Sequence, residues 1–198
     1  MAVKTIVIVE HAHCGSTMLA GMLEIVGVPM VGENYKKMKW EDQEIIEAMR
    51  SGNEDDFAEL VRERNLKHDV WGFKSPGAWL YMPLLLKHLR NPIFLAIYKD
   101  PVSVTLRRAG GRGGNFLELV ENTVHQFSQS LRGMRDTRQR IYLLSYLKAI
   151  ADPSGFVDEL LSVVKIEVDE ETVERLVAFI QPNTGHPLTP YPSVEKWI

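Results

Sequence analysis

Apolar residues follow two rhythms along this chain. In four short stretches nearly every position is apolar: Ile6-Val7-Ile8-Val9, Val70-Trp71-Gly72-Phe73, Ile93 to Tyr98 and Ile141 to Tyr146. Their length and β-branched content predict strands buried on both faces, as in a parallel sheet. Elsewhere apolar positions recur every three or four residues. This predicts helices after Gly15, over 41–50 and 55–66, from Pro76 to about Arg90, after Asp100-Pro101, from Phe116 to about Arg135, and over 153–165 and 169–180. Gly27 to Gly32, set between breakers, reads as a fifth, short strand that delivers Glu33 and Asn34 to its carboxyl end. The charges of 41–50 and 55–66 read as solvated faces, and the tail from Pro182, with four prolines, reads as extended.

The stretch Val3 to Leu23 organises the rest. A buried strand ends in a polar turn at Gly15, and Ser16 and Thr17 open a helix whose Leu19, Met22, Leu23 and Val26 are spaced to pack back on the sheet. Amides from Cys14 to Thr17 then lack intrahelical acceptors at the positive end of the helix dipole, which makes an anion cradle. Against the Walker A pattern, Glu10 stands at the first Gly and Ser16 at the Lys. Without that Lys, ordinary ATP or GTP hydrolysis is not expected. Strands alternate with helices throughout, so the predicted fold is α/β: a single-domain, P-loop-type three-layer sandwich over 1–198 with a mainly parallel sheet of about five strands and a Pro-rich tail over 182–198.

Composition narrows the function. Apolar residues make up 45% and charged residues 25%, the balance of a soluble globular chain, and a net charge of −3 gives no general attraction to nucleic acid or anionic membrane. The single cysteine, Cys14, excludes an internal disulfide and a Cys-based zinc site, and it reads as a small turn residue rather than a nucleophile. No stretch is apolar for long enough to cross a bilayer, and a cytoplasmic location is expected.

The segment Cys14-Gly15-Ser16-Thr17-Met18-Leu19 resembles the 5′-phosphosulfate loop of the sulfotransferases, which use 3′-phosphoadenylyl sulfate (PAPS), with His13 where that family carries its basic residue. Lys74 in Lys74-Ser75-Pro76 resembles the family's K-x-P motif, whose Lys reaches the phosphosulfate. The run from Lys99-Asp100-Pro101 to Arg107 resembles its 3′-phosphate motif, with Lys99 in place of Arg and Arg107 in place of Ser. Lys neutralises a phosphate without the planar fork of Arg, and Arg107 can return that fork from farther along the helix. Glu33 occupies the place of the carboxylate that takes the acceptor's proton in tyrosylprotein- and heparan-type relatives; His125 is a second choice. The order of these motifs covers nearly the whole chain.

The resemblance implies a PAPS-dependent sulfotransferase acting on a hydroxyl or amine of a small molecule or glycan. Glu33, Lys74 and His13 would serve catalysis, and Cys14, Gly15, Ser16, Thr17, Met18, Lys99 and Arg107 would bind the co-substrate. Adenosine 3′,5′-bisphosphate is then the product, and no metal, nucleic acid or membrane is expected. Two alternatives stay open at this point: a P-loop small-molecule kinase, and a non-catalytic nucleotide- or anion-binding protein on the same fold. Gly110 to Asn115 is a candidate lid, and Trp40, Trp79 and Trp197 are candidates for an interface or the core.

Overall fold

A computed structural model describes residues 3–10, 13–30, 40–109 and 115–180, so Glu33, His11, the glycines of 110–114, Trp197 and the tail lie outside the described residues. In chain order the elements are β1 (Lys4–Glu10), α1 (Ser16–Ile25), α2 (Gln43–Ser51), α3 (Glu54–Lys67) and β2 (Val70–Pro76). A 3₁₀ turn (Ala78–Tyr81), α4 (Met82–His88), β3 (Ile93–Tyr98), α5 (Pro101–Ala109) and α6 (Phe116–Asp136) follow. The chain continues through β4 (Ile141–Ser145), α7 (Tyr146–Ala151), α8 (Pro153–Val164) and α9 (Glu170–Phe179).

The strands form one parallel sheet in the order β2-β1-β3-β4, with Ile6 opposite both Gly72 and Ile93, and Phe94 opposite Ile141. β1 is central, which is why Ile6 through Val9 are all fully buried. Alternate β1 residues feed two cores. Ile6 and Ile8 join Leu95, Ile97 and Leu144 under α1, α7, α8 and α9, while Val7 and Val9 join Trp71, Phe73 and Phe94 under α2, α3 and α4. These are the three expected layers.

Four details depart from the sequence reading. Of the expected fifth strand the described residues show a single bridge, Met30 to Gly72, with the Gly72 N–H donating to the Pro29 carbonyl at 2.9 Å, and Val31 and Gly32 lie outside the described residues. Pro76 closes β2 rather than opening a helix, because Gly77 turns the chain left-handed (φ 88°) before the 3₁₀ turn. Tyr146 opens α7 rather than ending a strand, since the Ser145 hydroxyl oxygen accepts from the Lys148 N–H at 3.2 Å and caps a helix there. The charges around 41–64 are not all solvated. Asp42 is buried as the N-cap of α2, and Arg64 is buried between Asp42, at 3.5 Å, and Glu44.

Trp40 and Trp79 both pack on the cores, Trp79 so closely over α6 that a Cβ on Gly133 would come within 2.6 Å of its ring. No described helix is long and apolar enough to cross a membrane.

Candidate functional site

The chain leaves β1 and reaches β2 on one side of it, then β3 on the other, so the carboxyl end of β1 is the switch point where open α/β sheets bind ligands. There the backbone is left-handed at His13 (φ 74°) and again at Gly15 (φ 111°), and α1 starts at Ser16. Only glycine suits position 15. Its φ is unfavourable for other residues, and a Cβ would lie 2.6 Å from the Tyr146 ring.

Helix capping marks this turn out. Side-chain oxygens of Asp42, Asn53, Asn115, Asp152 and Asp169 accept from the first-turn amides of α2, α3, α6, α8 and α9, and Asp100 accepts from the Ser103 N–H at 2.7 Å at the start of α5. Among the described helices of eight residues or more, α1 is the one whose N-terminus has no side-chain cap. A helix start without a side-chain cap, with the positive end of its dipole, suits an external anion.

A cation is built in beside it. Lys74, on β2 next to Ile8, is only 2% exposed, yet its ammonium reaches the Thr17 hydroxyl at 3.4 Å in the first turn of α1 and the Glu41 carboxylate at 3.2 Å. Burying this charge is tolerable because Glu41 compensates it. Glu41 sits in an isolated parallel bridge against Lys74, which holds the pair in register.

The remaining predicted residues divide. Ser16 is buried, Thr17 half-buried, and Met18 is part of the core under α1. Cys14 is fully buried against Val104 and Phe127, a packing residue rather than an exposed thiol. His13 is exposed at the mouth of the turn. Lys99, at the end of β3, lies over the Tyr146 ring, 4.9 Å from its centroid, so the ring that covers Gly15 also fixes this cation. Burial alone would push the Asp100 carboxyl up, but hydrogen bonds from Ser103 and the charge of Lys99 hold it below the ordinary aspartate range. Arg107 is half-buried in the last turn of α5, about 9 Å along the axis from Pro101 at 1.5 Å per residue, and makes no hydrogen bond or ion pair with the described residues. His125 is exposed on α6.

Sequence reasoning missed Glu41 and Tyr146. Tyr146 carried a weak signal, since Ser145 is a good N-cap residue. Glu41 carried none, because only the bridge between separate segments brings it to Lys74.

No family model and no curated protein matches the sequence. Solved structures do match. Sulfotransferase STF1 from Mycobacterium tuberculosis H37Rv aligns over 90% of this chain and 71% of its own, with a TM-score of 0.57 at 13% identity. The sulfotransferase domain of the Synechococcus PCC 7002 olefin synthase aligns over 86% and 76%, with a TM-score of 0.59 at 14% identity. Retinol dehydratase, solved in complex with androsterone and the inactive cofactor PAP, aligns over 91% and 65%, with a TM-score of 0.56 at 12% identity. The chain has the sulfotransferase fold in a divergent sequence.

Proposed function

We propose that the chain is a single-domain, cytoplasmic, PAPS-dependent sulfotransferase that moves a sulfuryl group to a hydroxyl or amine of a small molecule or glycan. The observation that carries this reading is the uncapped start of α1 with the buried Lys74 ammonium at its first turn. Oriented amides beside one fixed cation suit a phosphosulfate better than a neutral ligand. A neighbour holding PAP supports the same choice of nucleotide.

In sulfuryl transfer the bond between sulfur and the bridging phosphate oxygen breaks, a bond from sulfur to the acceptor oxygen or nitrogen forms, and adenosine 3′,5′-bisphosphate leaves. Like phosphoryl transfer, the step asks the protein for positioning and charge stabilisation. The amides of the turn with Ser16 and Thr17 hold the 5′-phosphosulfate, Lys74 offsets charge developing on the leaving phosphate, and His13 adds a donor. Lys99 and Arg107 take the 3′-phosphate. Glu33 accepts the acceptor's proton.

The test is titration calorimetry with adenosine 3′,5′-bisphosphate in the absence of Mg²⁺, alongside ATP with Mg²⁺. The bisphosphate is expected to bind more tightly, and Lys74→Ala to weaken it about 10- to 100-fold, the value of a charged hydrogen bond. Because that variant also leaves Glu41 facing the anion, Lys74→Ala with Glu41→Gln is measured too, and the loss should persist. A preference for ATP, or unchanged binding in both variants, overturns the reading.

A further inference from the structure

The long helix α6 leaves an apolar stripe uncovered. Leu117, Val124 and Leu131 are spaced seven residues apart and are 78%, 48% and 41% exposed. A straight helix drifts about 20° per heptad, so the three side chains share one narrow line along α6 from Leu117 to Leu131. Phe127 and Met134 turn inward from the same helix and are buried, so the stripe is additional to the face that packs on the molecule. Beside it runs a groove of about 340 Å³ lined by Val124, Phe127, Ser128, Leu131, Arg132 and Arg135.

The flanking charge is polarised. Exposed Glu118 and Glu121 lie in the amino-terminal half and exposed Arg132 and Arg135 in the carboxyl-terminal half. Glu118 accepts from the Asn115 side chain at 2.9 Å, and Arg135 pairs with Asp136 at 3.0 Å, while Arg132 has no ion pair among the described residues. Parallel helices would set like charges together. An antiparallel pairing centred on Val124 sets Leu117 against the partner's Leu131, and Glu118 within two residues, about 3 Å along the axis, of the partner's Arg132, twice over by the two-fold axis.

We propose that α6 is a homodimer surface on which a second copy of this chain packs its own α6 antiparallel, side chains of each copy entering the groove of the other. One helix pair is a small contact, under about 1,200 Å² in total, so the dimer is concentration-dependent rather than permanent.

Sedimentation equilibrium of the full chain over a micromolar to high-micromolar series tests this. Wild type is expected to shift from monomer to dimer, and Val124→Glu to stay monomeric with an unchanged melting curve. Glu118→Arg should shift dimerisation at least about 10-fold to higher concentration, the effect of one lost and one repelling charge pair repeated by symmetry. Adding Arg132→Glu should restore it. A wild type that is monomeric throughout, a Val124→Glu dimer, or a charge swap that restores nothing overturns the proposal. Because the surface does not rest on the anion site, its failure leaves the sulfotransferase reading untouched.

Discussion

Gly15 and Lys74 make the candidate site, and each does so through a property no substitute keeps. At Gly15 the property is the absence of a side chain: a φ of 111° and the Tyr146 ring both exclude a Cβ. Gly15→Ala is therefore expected to lose about 1–3 kcal/mol in urea unfolding, and to lose bisphosphate binding as the turn shifts. Gly72 faces a similar limit from the backbone, since a Cβ there would lie 2.7 Å from the Ile6 carbonyl oxygen. At Lys74 the property is a buried charge with a flexible stem. Its place at the end of an apolar run was legible in the sequence. Its compensation by Glu41 was not, since nothing local in Trp40-Glu41-Asp42 distinguishes an ion-paired glutamate from a solvated one.

Most of the helices were legible, because most amphipathic runs carry a start signal of their own. Asp100 and Asp169 both cap helices and both have carboxyls held below the ordinary aspartate range: Asp169 by hydrogen bonds from Thr172, and Asp100 by Ser103 and Lys99 against the opposing effect of burial. A depressed folded pKa gives stability that is present above the unfolded value of about 3.9 and is lost as pH falls through the folded one. Asp42, raised by burial, acts in the opposite sense and favours folding more once protonated. Urea unfolding compared between about pH 6 and pH 3 should show a smaller loss for Asp169→Ala than for wild type, because the variant has already lost that linked proton. The helix start expected at Pro76, and the described part of the short strand expected at 27–32, differ from the sequence reading for a related reason. Proline and glycine signal a break in the chain, and the surrounding contacts select which element the break ends.

Across the molecule, the sheet separates two cores, and a large side chain deep in either one is expected to matter far more than an exposed one on α6. Phe156→Ala, fully buried under the sheet, should cost about 3–5 kcal/mol, whereas Leu131→Ala should change monomer stability by no more than about 0.5 kcal/mol; chemical denaturation of dilute protein measures both. The strands, their parallel arrangement and the turn into a helix after the first of them could be derived from the chain alone, since burial on both faces and helical periodicity are local properties. The strand order, the uncapped state of α1 among capped neighbours, the Lys74–Glu41 pair and the Tyr146 ring over Gly15 and beneath Lys99 required the folded chain. Each joins segments distant in sequence, and a contact of that kind is set by how the layers pack rather than by the residues on either side of it.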